Sequence, residues 1–370
     1  VVSYIPRDGE AGPPSGAVMS NATGVLTVEG ARDVAFVGVE LGASRGTAVR
    51  AEGVTNFTLR GCVVANAGAH GAHVDGAGSG LDGCEVRGCA CVGASVTGGD
   101  YTSLSPGGSF VLRSHVHHNG RVHRSYNPQV RFGGVGNVYS FNAVEDGPHQ
   151  AFSGGGNDLV FEGNEVSRMV TGSADSGAWY AGRSWARRNV TLVSNVFRDV
   201  RATELIVQRA GVSTQNAVYC DDQLSGVSMV NNTVVDAPVG LHLGGGRRLV
   251  AANNTFTGVG VPIHMDARGL TWQRAYCQPG GHFYDELEAL RYTEPPYASH
   301  YPELPGIYGD HPCVPVHALI EGNTWSGARA GRLVDATDAQ LASWNATVRG
   351  NRPAPASHRR TRPAGPAAAS

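Results

Sequence analysis

Short strand-like pieces, each ending beside one small polar residue, recur through this chain. They read FTLRGCVV (57–64), LDGCEV (81–86), FVLRSHV (110–116), VYSFNAV (138–144), LVFEGNEV (159–166), VTLVSNVF (190–197), VSMVNNTV (227–234) and LVAANNTF (249–256). The polar position falls at 62, 84, 114, 142, 164, 195, 232 and 254, a step of 22 residues lengthened by insertions. Val39 in VAFVGVEL lies one step earlier, and Asn323 in LIEGNTW follows after a long gap. Such a step is too short for a helical-pair repeat or a four-stranded propeller blade, and it suits one turn of a parallel β-solenoid. One turn cannot bury its own apolar face, so neighbouring turns complete the core. The expected fold class is therefore all-β, a single-stranded parallel β-helix, with Asn in the aligned position forming an internal side-chain ladder.

The 52 glycines follow no Gly-X-Y period and fit tight corners repeated many times. Residues 20–350 form the solenoid in this reading, with a lateral insertion at 267–318 where the repeat lapses. A short helix is expected at 284–290 within that insertion. Residues 1–19 read as an N-terminal extension or cap, and the Pro/Arg/Ala-rich 351–370 as a disordered tail or linker.

Charge is nearly balanced, with 29 Lys and Arg against 31 Asp and Glu, so nothing drives the chain as a whole toward nucleic acid. Local arginines remain able to hold an acidic polysaccharide. No apolar run is long enough to span a membrane. Six Asn-X-Ser/Thr sequons, at Asn21, Asn56, Asn189, Asn231, Asn253 and Asn345, point to a secreted glycoprotein of the cell surface or extracellular matrix. That setting permits disulfides; Cys277 and Cys313 are candidates to staple the insertion, and the odd count of seven leaves at least one Cys unpaired, Cys220 being suggested.

Ten residues past each aligned polar position stand Ala72, Ala94, Arg124, Phe152, Ala174, Leu205, His242 and His264, which equal phase would place in one stripe. Asp175, His149, Gln150 and Asp266 lie within three residues of that stripe. Asp175 opposite Asp221 or Asp222 would supply the carboxylate pair of a glycoside hydrolase, one protonating the leaving oxygen and the other attacking or activating water. Adjacent acids in a strand face opposite ways, so one of Asp221 and Asp222 is expected in the groove. Arg183 and Arg268 would anchor an acidic sugar or orient the carboxylates. Trp179, Tyr180 and Trp185 would offer stacking faces, with His242 and His264 also at the substrate or, alternatively, on a metal. His149 in EDGPHQ would instead serve as the base of a uronate lyase or epimerase. No cofactor is expected, and a divalent cation stays open.

Several segments together, ARDVAFVGVELGASRGTAV, EDGPHQAFSGGGNDLVFEGNEV, DSGAWYAGRSWARRN, VYCDDQLSG, VGLHLGGGRRLVAANNTF and VPIHMDARGLTW, resemble the right-handed parallel β-helix carbohydrate-active proteins of the glycoside hydrolase family 141-like group. The resemblance covers about residues 30–335. It implies the right-handed sense, a polysaccharide-binding cleft, and acid catalysis by Asp175 with Asp221 or Asp222. It also places Asp266 and Arg268 in a late acidic–arginine motif and His149 in a central proline–histidine motif. Leu159 stands after GGGND where that group usually has His. The partner expected is a polysaccharide or a glycoprotein glycan. A noncatalytic glycan-binding or extracellular assembly protein on the same scaffold is the alternative.

Overall fold

The computed structural model describes residues 18–210, 214–328 and 331–354. Most of the expected cap at 1–19 and of the expected tail at 351–370 lies outside the described residues.

The chain winds as stacked turns of short parallel strands, 20 in one sheet and 11 in another. The larger sheet contains two stacks, joined by the long strand Val49–Arg60, which pairs with both Ala72–Ala77 and Gly80–Asp82. In the first stack the Cα partners run Ala72, Ala94, Val130, Phe152, Trp179, Val218, Leu241 and Ile263. All are buried. The second stack aligns Leu59, Leu81, Val111, Tyr139, Phe161, Leu192, Met229, Ala251 and Ile320. The third, in the smaller sheet, aligns Val64, Val86, Val116, Val144, Val166, Phe197, Val234 and Phe256. Each short strand points one central apolar residue inward, which is why triplets suffice as strands.

The corner between the second and third stacks holds the polar ladder. Asn142, Asn164, Asn195, Asn232, Asn254, Asn323 and Asn351 each accept, through the side-chain oxygen, from the backbone N–H of the ladder residue one turn before. Their side-chain amides donate back to the previous turn, as Asn232 does to Leu192 O at 2.9 Å. Both donor and acceptor of each buried amide are thus satisfied. Ser114 and Cys84 continue the ladder, and Asn351 carries it one residue past the expected end of the solenoid.

Equal phase from the ladder does not hold across the first stack. Corners of unequal length separate the ladder from the next strand: Asn142 is ten residues before Phe152, Asn195 is 23 before Val218, and Asn232 is nine before Leu241. Arg124, Ala174 and Leu205 therefore lie in corner insertions, Leu205 in the helix Glu204–Ala210. His242 and His264 sit in the outward row with His73, Ser95, Arg131, Ser153, Tyr180 and Tyr219.

Between Asn254 and Asn323 the chain leaves the stack and forms its own small core of Phe283, Leu287, Tyr297, Tyr301 and Leu304 with Trp185 of the solenoid. The expected helix appears as His282–Ala289. A disulfide joins Cys277 and Cys313, while Cys62, Cys84, Cys89, Cys91 and Cys220 are free. Two buried arginines latch the excursion to the solenoid, Arg188 to Glu303 at 3.1 Å and Arg247 to Asp310. No helix among the described residues is long and apolar enough to cross a membrane.

Candidate functional site

The outward row of the first stack supplies the floor of a pocket of ≈ 180 Å³. The strand Asp175–Gly182 brings Asp175, Ser176 and Tyr180; the strand Thr214–Asp221 brings Tyr219 and Asp221. His149 and Gln150 enter from the corner before Phe152, and Arg268 and Trp272 from the start of the excursion. Asp222 follows directly on its strand with φ 42°, in the left-handed region. That backbone turn cancels the strand alternation, so both adjacent acids face the pocket, where the alternation allowed one.

Arg268 organises the floor. Its Nη1 contacts Asp221 Oδ1 and lies 3.1 Å from Asp222 Oδ1. Its Nη2 donates to Asp266 Oδ2 at 2.7 Å and to His242 Nε2 at 2.9 Å. Asp222 also accepts from Arg183 Nε at 2.6 Å and from the Gln273 amide. Asp221 accepts from the Tyr180 hydroxyl at 2.7 Å. Asp222 is consequently the more fully engaged of the two, and its side chain is 4 % exposed against 11 % for Asp221.

Asp175 keeps an open side to solvent while protein crowds the rest of its carboxyl. Burial, reinforced by the charge of Asp221 and opposed by Arg268, raises its pKa above the ordinary aspartate value. His149 is buried, with Nδ1 3.4 Å from Ser176 Oγ and its ring 5.1 Å from that of Tyr126. Burial lowers its pKa, which favours the neutral imidazole. The Gln150 side chain is buried and borders the pocket beside His149.

Behind the floor, His242 stacks on Tyr219 at 4.1 Å and meets His264 edge-on at 4.4 Å. Burial opposes the charge on His264, but hydrogen bonds to Asp266 and Asp335 prevail and push its pKa up to about 9. Burial likewise works against an ionised Asp266, yet His264 and Arg268 hold its carboxyl well below the usual range. His242, His264 and Asp266 bring possible metal-ligand atoms within 4.8 Å of one another. The Arg268 guanidinium already bonds two of those three groups, so a fixed organic cation fills the role a metal would take. Neither histidine lines the pocket; His242 touches its floor through Arg268, and His264 pairs with Asp335.

Trp179 and Trp185 are also placed elsewhere. Trp179 is 1 % exposed and stacks on Phe132 in the solenoid core; Trp185 is 1 % exposed and stacks on Phe283 under the excursion. Neither offers a face to a sugar. The accessible aromatics are Tyr126, 71 % exposed, and Trp272, 66 % exposed, which the sequence reading missed together with Ser176 and Tyr219. Tyr219 could have been found two residues before Asp221, on the same side of a strand by alternation. All six sequon asparagines are exposed, although the Asn56 and Asn189 amides already donate to Asp33 and Asp158.

A model of the right handed beta helix region matches residues 23–256. No curated protein matches the chain. Among solved structures, the catalytic unit of the thermostable GH87 alpha-1,3-glucanase from Streptomyces thermodiastaticus strain HF3-3 is similar at 11% identity and a TM-score of 0.44. The match covers 84% of this chain and 50% of that one, so the chain spans half the length of that solved structure. A likeness of that degree assigns no role to any residue.

Proposed function

The chain belongs to the right-handed beta helix family, and from that premise we propose that it is a secreted, carbohydrate-active enzyme that hydrolyses a glycosidic bond of a polysaccharide. The observation that carries this reading is Asp175, a carboxyl with a raised pKa in the same pocket as the Arg268-bound Asp221. A proton donor with an elevated pKa facing a second carboxylate is the arrangement glycoside hydrolysis requires. Asp175 protonates the leaving glycosidic oxygen. Asp221, the less engaged of the adjacent acids, attacks the anomeric carbon or activates water, while Asp222 holds Arg183, Arg268 and Gln273 in place. Tyr126 and Trp272 present apolar ring faces to the sugars. The exposed sequons and the disulfide support secretion, and the segment resemblance to the family 141-like group supports the polysaccharide substrate.

The test is release of reducing ends from a panel of plant, fungal and bacterial polysaccharides by the wild-type chain and by Asp175→Asn and Asp221→Asn. Turnover that survives Asp175→Asn sinks the reading.

A second reading rests on the neutral His149 at the pocket edge. As the base of a uronate lyase it would take the proton α to the carboxylate, and the product would carry a new carbon–carbon double bond. Ultraviolet absorbance of that product separates the two chemistries. If neither product forms and the pocket still binds glycans, the protein is a noncatalytic glycan-binding or assembly module.

A further inference from the structure

A second cavity of ≈ 440 Å³ lies over the edge of the solenoid from the candidate site. Arg87, Arg121 and Arg124 line it, with Asp146 as its one lining carboxylate. That acid is already engaged: Arg168 donates to its two oxygens at 2.7 and 2.8 Å. Arg87 is paired with Glu85 at 3.1 Å. The other two cations are not balanced. Arg121 donates to the Gly88 carbonyl at 3.2 Å, and Arg124 has no hydrogen-bond or ion-pair partner among the described residues. In a chain of nearly neutral total charge, two uncompensated guanidinium groups around one concavity form a local anion-attracting field.

The cavity shares a wall with the candidate site, and three separate chain segments build that wall. Arg124 lines the cavity and Tyr126 the site; Pro148 lines the cavity and His149 the site; Thr171 lines the cavity and Asp175 the site. A glycan seated at Asp175 and Asp221 therefore has a neighbouring unit within reach of Arg121 and Arg124, across the solenoid edge. Charge decides which unit bears an anion. In the candidate site Asp221 and Asp222 are already matched by Arg183 and Arg268, which leaves little net charge for an anion, whereas the cavity holds two guanidinium groups without a matching acid.

We infer that this cavity is an anion subsite, holding a carboxylate or sulfate on a sugar that adjoins the one in the candidate site. The inference rests on the glycan reading of that site and names its substrate class as an acidic polysaccharide or an acidic branch.

The experiment is calorimetric titration at low ionic strength with oligogalacturonate, a sulfated dextran oligosaccharide and a neutral dextran oligosaccharide. Wild type is expected to bind one anionic probe at least about tenfold more tightly than the neutral one. The stronger of the two anionic probes tells carboxylate from sulfate. Arg121→Gln with Arg124→Gln is expected to abolish that margin and its salt dependence, leaving neutral binding and thermal melting unchanged. The single Arg124→Gln, at a side chain with no internal partner, is expected to lose part of the margin and serves if the double variant folds poorly. Equal wild-type binding of charged and neutral probes, binding of none, or an undiminished margin in both variants overturns the inference. Asp175→Asn separates the two claims: it is expected to keep the margin while losing turnover. Retained turnover there with a margin still lost on arginine substitution removes the hydrolase reading and leaves the subsite standing.

Discussion

Asp175 is a residue whose environment favours its neutral form, and two measurable consequences follow. Asp175→Asn is expected to lower kcat about 10²- to 10⁴-fold, the range for loss of a positioned general acid, with the fold intact by circular dichroism. Activity of the wild type should fall as pH rises through the elevated Asp175 pKa, because only the protonated carboxyl can donate. The sign for stability is the same. A carboxyl with a raised folded-state pKa stabilises fully below its unfolded pKa, and that contribution is lost as pH rises through the folded value. Asp175→Asn should therefore melt at or above the wild-type temperature at neutral pH, and that advantage should shrink in acid. At this scale the sequence was partly legible. An acid beside aromatics in a Gly-rich segment marked Asp175, and tandem acids marked Asp221 and Asp222. The segment AWY did not reveal which ring points outward, because the inserted residues before it hide the strand phase. Trp179 went to the core and Tyr180 to the pocket for that reason.

Among the repeated elements, the ladder was the most legible, since its asparagines occupy the one position that every turn treats alike. Asn232→Ala removes an acceptor from the Asn195 N–H and a donor from the Leu192 carbonyl, both buried. The expected cost is about 2–4 kcal/mol in chemical denaturation, at constant m-value. The outward row carries a second effect, through His264. Its folded pKa of about 9 lies above the ordinary 6.5, so its pairing with Asp335 and Asp266 stabilises fully below pH 6.5 and the gain is lost as pH rises through 9. Melting curves of wild type and His264→Gln should differ most in the acidic part of that window and converge above it. The missed pocket residues belong to this scale as well. Tyr126 and Trp272 sit in corners and in the excursion, where no period runs and sequence distance says little about proximity.

The whole molecule is a regular stack with one large departure. The disulfide between Cys277 and Cys313 closes 36 residues of that departure, worth about 4 kcal/mol of unfolded-state restraint in a chain-entropy estimate. Reduction is expected to speed proteolysis within 267–318 well before the strands are cut, as limited digestion with mass spectrometry would show. Loss of activity should accompany that cleavage, since Arg268 and Trp272 enter the pocket from the same segment.

The ladder bond from Asn254 N–H to Asn323 spans 69 residues of sequence yet keeps the 2.9 Å length found between turns only 22 residues apart. The stack is thus blind to how much chain departs between two successive rungs, because closing a longer loop costs free energy only logarithmically. A lineage with this scaffold can exchange, lengthen or trim the segment that carries Arg268 and Trp272 without renegotiating the rest of the molecule. Change in what the pocket accepts would then proceed by replacing a cassette, while the rungs above and below stay as they are.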